Sequence, residues 1–330
     1  SGTWTQQGSD IDGEAAGDRS GSSVSLSSDG STVAIGANSN DGNGTYAGHV
    51  RVYKNISGTW TQQGSDIDGE AAGDYTGSSV LLSSDGSTVA VGASSNDGNG
   101  TNAGHVRVYK NISGTRIQQG SDIDGEAAYD GSGKSVSLSS DGSTVAIGAY
   151  LNDGNGTNAG HVRIYKNISG TWIQQGADID GEAALDHSGW SVSLSSDGST
   201  VAIGGNRNDG NGSYAGHVRI YKLIGVPIAI NDSATTNEDT AVSVNVLSND
   251  IDVDNLVDSL VVDLDIATSG AQDSVSSTEG IWQVSAGGSL LFTPVLDYNG
   301  VARLDYTIKD SLGLTDTATI SILVNAINDA

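Results

Sequence analysis

Along Ser22–Ser28, SSVSLSS, apolar and polar side chains alternate, with Val24 and Leu26 falling on one face. A period of two marks a half-buried strand, because successive side chains of an extended chain point to opposite faces. Asp29-Gly30 follows, a dipeptide suited to a tight hairpin turn. STVAIGA (Ser31–Ala37) predicts a second strand. GHVRVYK (Gly48–Lys54) predicts a third, with Val50 and Val52 opposite His49, Arg51 and Tyr53. NISG (Asn55–Gly58) turns the chain into TWTQQG, the fourth. Apolar stripes spaced i, i+3, i+4 are missing, so helices are not expected.

The phrase returns every 56 residues: Asp29, Asp85, Asp141 and Asp197 share one phase. Trp4, Trp60 and Trp172 share another, with Arg116 in the remaining place. Four near-identical copies without insertions fill residues 1–224, which indicates recent duplication. Four antiparallel strands per unit predict an all-β, propeller-like array of four four-stranded blades, with a stacked solenoid as the alternative. The chain opens on a fourth-strand phrase (Thr3–Gln7), and the last copy ends after its third, HVRIYKLIG. The N-terminal phrase would thus complete the last blade and close a ring, whereas further copies ahead of Ser1 would make this segment an arc.

After Lys222 the 56-residue phrase stops, and residues 225–330 read as a second domain. Strands are expected at AVSVNVL, SLVVDLDIA, SLLFTPV, ARLDYTIKD and TATISILVN, short runs between turns that suggest a β-sandwich. AIND occurs at Ala229–Asp232 and again at Ala326–Asp329, as though a further sandwich began there.

Composition narrows the function. A formal net charge of −26 argues against nucleic acid as a partner, since phosphate binding needs a basic patch. The chain has no Cys, so neither disulfides nor thiolate chemistry are available. It has no Met and starts inside a repeat phrase, so it reads as a piece of a longer protein. No apolar run is long enough to span a membrane.

GSSVSLSSDGSTVAIGA together with GHVRVYK resembles the FG-GAP repeat family, the blade unit of integrin alpha-subunit propellers and of many bacterial surface proteins. The chain departs from that family where Phe-Gly is usual: Ser20-Gly21, Thr76-Gly77, Ser132-Gly133 and Ser188-Gly189 stand there. The family's acidic calcium loop between the first two strands has shrunk to SSDGS, so that site does not transfer. NEDTAVSVNVLSNDIDVD, LDYNG and YTIKDSLGLTDTATISILV resemble the cadherin-like or Ig-like tandem domains of large bacterial surface adhesins. The two resemblances imply an exported protein at the bacterial cell surface, with further tandem domains of the same chain. In such domains calcium often sits near the junctions, and Asp232, Glu238, Asp239, Asp250, Asp252, Asp254 and Asp310 are the candidates here.

Each copy also carries an acidic packet, SDIDGEAAGDRSG in the first. Asp10, Asp12, Glu14 and Asp18 recur as Asp66, Asp68, Glu70 and Asp74, then Asp122, Asp124, Glu126 and Asp130, and finally Asp178, Asp180, Glu182 and Asp186. Alternate acids suit the six to eight oxygens that Ca²⁺ takes, although the glycine falls at the fourth position of the packet and not the sixth. A solvated connection with Asp capping a turn is the other reading. His49, His105, His161 and His217 occur once per copy; without Cys or a second periodic His they read as strand-edge hydrogen-bonding residues and not as a zinc cluster.

Strand order places SSDGS and KNISG on one face of the array, and the long loop NSNDGNGTYAG and the acidic packet on the other. Copies differ mainly on that second face. There stand Arg19, Tyr46, Tyr75, Lys134, Tyr150, His187, Trp190 and Tyr214, side chains that interfaces favour. They are the expected contacts for a protein or glycan ligand, with loop drift as the bland alternative. Ser is abundant, but none has a unique His and Asp context, and a fourfold repeat does not suit an active site of unlike residues. The expected function is adhesion, with structural Ca²⁺; a spacer that binds nothing is the alternative, and a polysaccharide-active enzyme a distant one.

Overall fold

The computed structural model describes every residue except 1, 253–256, 266 and 329–330. It divides into two compact units, Ser1–Lys222 and Leu223–Ala330.

In the first unit the 56-residue phrase folds into antiparallel sheets. The first contains β1 (Ser23–Leu26), β2 (Thr32–Ala37), β3 (His49–Ile56), β4 (Thr59–Gln62) and β5 (Ile67–Asp68), in the order β1-β2-β3-β4 with β5 also on β3. Val24 faces Ile35, Ala34 faces Val52 and Tyr53 faces Gln62 across the ladders. The short β5 was not expected. It comes from the acidic packet, whose Ile67 pairs with Val50 and is buried, so an apolar residue between acids fixes the packet to the sheet.

Alternation places one apolar row on each side of a sheet, and successive sheets bury these rows against each other. Ala34, Val50, Val52 and Ile67 of the first sheet meet Val80, Leu82, Val89 and Val91 of the second. The next two layers repeat the arrangement around Val106 with Ile147, then Val162 with Ile203. Backbones come close at the boundary: Gly48 has φ 74°, and a Cβ there would lie 2.3 Å from the carbonyl oxygen of Thr76. Only glycine permits both that backbone conformation and that approach.

The N-terminal phrase behaves differently from its copies. Residues 3–7 form no strand, Trp4 is fully exposed, and the last sheet has three strands, Ser188–Leu194, Thr200–Gly205 and His217–Lys222. Thr3–Gln7 therefore does not complete the last blade, and the array is open at both ends. Val24 and Leu26 are 64% and 58% exposed, against 6% for the equivalent Val80 and Leu82. Val218 and Ile220 are likewise open at the far end.

The second unit is a sandwich of two four-stranded sheets. One orders Asp232–Asn237, Thr315–Asn325, Gly300–Lys309 and Val261–Asp263, its first pair parallel. The other orders Val242–Asn245, Ser289–Pro294, Gly280–Val284 and Ser274–Ser276. Three of these strands, Asp232–Asn237, Ser274–Ser276 and Gly280–Val284, were not expected; their polar or glycine-containing sequences alternate weakly. The core encloses Trp282, Phe292, Tyr306, Ile308, Ile320 and Ile322.

Candidate functional site

The four acids of a packet have different partners. The Asp10 carboxylate accepts from Gln6, as Asp66 does from Gln62, Asp122 from Gln118 and Asp178 from Gln174. At Asp12, Asp68 and Asp124 the backbone carbonyl matters, accepting from Arg51, Arg107 and Arg163 at 2.6 Å, and the Asp180 carbonyl accepts from Arg219 at 3.0 Å. Asp18, Asp74, Asp130 and Asp186 are buried caps. Asp18 accepts from the backbone N–H of Ala15 and from Asn40, and Asp130 and Asp186 bind Ala127 with Asn152 and Ala183 with Asn208. Asp74 takes the N–H groups of Glu70 and Ala71.

The remaining acid meets a histidine. Glu14 of the packet before the first sheet, His49 on β3 and Asp66 of the packet after it bring ligand-type atoms within 4.8 Å of one another. Glu70, His105 and Asp122 repeat this group, as do Glu126, His161 and Asp178, while at the open end Glu182 and Asp186 stand near His217. The imidazoles of His49, His105 and His161 are 1% exposed. Burial, with the neighbouring Arg107 guanidinium, holds His105 down to about 4 despite nearby Asp122 and Asp74. Burial and Arg163 lower His161 as well. Burial thus favours the neutral ring at His105 and His161. Nε2 of His49 and His105 and both ring nitrogens of His161 are buried with no hydrogen-bond partner among the described residues. Residue types alone did not single out this gathering; the fixed intervals from Glu14 to His49 and His49 to Asp66 were the available signal.

On the long-loop face, residues chosen for their variability come together. Tyr46 and Tyr75 stack, centroids 5.7 Å apart and planes 9° from parallel. Tyr150 meets His187 and Trp190 edge-on at 5.4 and 5.1 Å, and the Lys134 ammonium lies 5.0 Å from the Trp190 ring centroid. Arg207, not anticipated, sits over Tyr214. Lys134 and Trp190 occupy β-bulges, where the ladder registers shift between Ser132 and Ser135 and between Ser188 and Ser191. Bulges re-aim side chains and recur beside functional sites.

Tyr46, Tyr75, His187 and Tyr214 of this set also have a left-handed backbone. Arg19, Tyr75, Gly131 and His187 have φ of 56°, 54°, 64° and 54°, and Tyr46, Asn102, Asn158 and Tyr214 have 57°, 51°, 51° and 53°. Gly and Asn adopt this left-handed region readily, whereas a larger side chain there costs on the order of 1 kcal/mol. Five of the eight positions nonetheless carry Arg, Tyr or His.

In the sandwich the proposed calcium acids are spread over several places, with Asp232 and Asp250 near each other. Asp232 accepts from Tyr306 at 2.7 Å and Asp250 from the Ile230 N–H at 2.8 Å; burial raises both carboxyls. Glu238 accepts from the Ile327 N–H, Asp239 from the Asp297 N–H, and Asp310 from the N–H groups of Leu312 and Leu314. The second carboxylate oxygens of Asp250 and Asp310 are buried without a partner. Asp252 follows Ile251, which bridges to Ile228, and Asp254 lies outside the described residues.

Residues 123–165 match the family model for the FG-GAP repeat, and residues 225–323 match that for a bacterial Ig domain. One segment thus matches a repeat model and the other an Ig-type model, neither of an enzymatic type. Among solved structures it is similar to the Dos1 propeller, with 12% identity and a TM-score of 0.37 over 82% of this chain and 66% of that one. It is also similar to the β-propeller domain of the Trilobed protease from Pyrococcus furiosus, with 10% identity and a TM-score of 0.35 over 90% and 93%. No curated protein matches the chain. Among the described residues no helix is long and apolar enough to cross a membrane.

Proposed function

We propose that this chain of FG-GAP repeats and a bacterial Ig domain acts in adhesion at the bacterial cell surface. The repeat array binds a protein or glycan, and the sandwich is one of a tandem series that holds the array away from the cell. The observation that carries this reading is the cluster of Tyr150, His187, Trp190 and Lys134. Trp190 stays 38% exposed while stacked and held by a bulge. Exposed, pre-positioned aromatic rings with a nearby cation are what glycan faces and protein hot spots engage. A spacer gains nothing from aromatic residues kept at left-handed positions.

The test is binding of the purified chain to a glycan array and to cells or matrix, compared with Trp190→Ala and Tyr46→Ala variants of unchanged circular dichroism. Selective binding lost at least tenfold in the variants is expected. Binding nothing leaves the spacer, and equal binding in all three removes these aromatic residues from the contact.

Structural Ca²⁺ in the sandwich is part of the same reading. Its support is the unpartnered, buried oxygens of Asp250 and Asp310, together with Asp232 close enough to Asp250 to raise it. Oxygen donors alone suit a hard cation. Chelator is expected to lower the sandwich's melting temperature by several degrees, and an unmoved melt would remove calcium from the account.

A further inference from the structure

The three interior histidine groups share a second feature besides proximity. Nδ1 of His49 lies 3.7 Å from Glu14 Oε2 and 3.5 Å from Asp66 Oδ2. The distances are 3.9 and 3.7 Å at His105, and 3.7 and 3.8 Å at His161. All exceed a hydrogen bond. Each carboxylate is fastened through its other oxygen. Gln62 donates to Asp66 Oδ1 at 2.6 Å, and Arg51 holds Glu14 Oε1 at 3.5 Å. The same pair of supports, Gln118 with Arg107 and Gln174 with Arg163, recurs at the other two groups. The bare oxygens are left turned toward Nδ1 of a buried ring, and at His161 that nitrogen has no hydrogen-bond partner among the described residues.

Burying an unpaired polar atom costs about 1–3 kcal/mol. At His161 this cost falls on Nδ1 itself, and the same arrangement of acids around Nδ1 in all three copies calls for an absent partner. Two carboxylates and one guanidinium surround the imidazole at each group. Atoms bound to Zn²⁺ at about 2.0–2.2 Å in tetrahedral geometry stand about 3.3–3.6 Å apart. A rotation of the half-exposed Glu closes the remaining few tenths of an ångström. Its exposure also leaves a water free access to a further coordination position. Donors that hold the ligand carboxylates are the usual outer shell of a metal site. One nitrogen and two carboxylates suit a borderline transition ion better than Ca²⁺, which wants six to eight oxygens.

The geometry points to a site for a divalent transition-metal ion of the Zn²⁺ class at each interior group, formed by His49 Nδ1, Glu14 and Asp66 and by their equivalents 56 and 112 residues on. Because Glu precedes a sheet and Asp follows it, the ion ties consecutive packets across that sheet. An interior packet then serves two ions, Asp66 on one and Glu70 on the next.

The experiment titrates the full chain with Co²⁺ and follows its visible absorption, then displaces it with Zn²⁺. Three equivalents are expected, displaced by Zn²⁺ and indifferent to millimolar Ca²⁺. Asp122→Asn and the surface change Glu70→Gln are each expected to remove one equivalent in a chain of unchanged circular dichroism. Asp85→Asn, in a turn away from the groups, is expected to keep all three. Absence of Co²⁺ bands and of Zn²⁺ uptake at millimolar concentration, retention of three equivalents in both variants, or displacement by Ca²⁺ would each overturn the assignment and leave a proton-bridged polar contact.

Discussion

In the repeat array the buried side chains are mainly Ala, Val, Ile and Leu, arranged in thin layers between successive sheets. The sandwich instead encloses one cluster in which Trp282, Phe292 and Tyr306 are all 0% exposed. The difference follows from construction. A duplicated unit must offer both halves of the same interface, so its two faces can carry only shallow rows that suit each other. A unique domain can fit a large ring into a single niche, and Trp282 and Phe292 pack with centroids 4.2 Å apart. Polar groups divide the same way. The array repeats small links, such as Ser23, Ser79 and Ser135 to the carbonyls of Gly77, Gly133 and Gly189. The sandwich gathers its links at one centre, where the Tyr306 hydroxyl donates to Asp232 at 2.7 Å and lies 3.1 Å from the Val246 carbonyl.

The largest expected effect breaks the sandwich alone. Trp282→Ala removes the biggest fully buried side chain and should cost about 3–5 kcal/mol through lost burial and the cavity left behind. In urea unfolding, the sandwich's transition is expected to shift to much lower denaturant while the array's midpoint stays in place. A common shift of both transitions would mean that the two units unfold as one and that the contrast between their cores has no thermodynamic counterpart.

The array was the more legible region. Alternation in SSVSLSS and STVAIGA, the Asp-Gly turn and the fixed interval placed its main strands, because each local signal appears four times without conflict. The packet was harder. Its Ile67 lies between acids and looks like loop, yet pairing with Val50 makes it β5. Thr3–Gln7 read as a strand because its copies are strands; strand formation there needs a neighbouring third strand, and at the N-terminus none of the described residues supplies it. In the sandwich, Ser274–Ser276 and Gly280–Val284 escaped although they pair as neighbouring hairpins, because their polar and glycine-containing sequences alternate weakly. The aromatic residues stood out in the sequence because variation among copies marks a face. That Tyr46 would stack on Tyr75, or Tyr150 meet Trp190, depends on how neighbouring sheets abut. The histidine groups depend on the same long-range placement: a lone His per copy carries no sign that two acids from different packets will converge on it.

A smaller effect sharpens the contrast from the array's side. Trp60 and Trp172 donate their indole N–H to the carbonyls of Gln7 and Gln119 at 2.7 and 2.6 Å. Arg116 stands in the equivalent place between them, and its three guanidinium nitrogens are shielded from water without a hydrogen-bond partner. Burial drives its pKa down to about 10, the mark of a charge the site does not welcome. Arg116→Trp would remove the unpaired charge, restore the apolar ring of the other copies and aim its N–H at the carbonyl of Gln63, the residue 56 before Gln119. A gain of about 1–3 kcal/mol is expected, the usual penalty of a buried polar group left unsatisfied. Stability in a repeat array is a sum of units and nearest-neighbour contacts. The gain should therefore raise the array's urea midpoint and slow hydrogen exchange chiefly in the first two sheets, with the sandwich's transition unmoved. A neutral or destabilising result would mean that Arg116 is satisfied through water, and that the copies tolerate a cation at a place where the other three keep tryptophan.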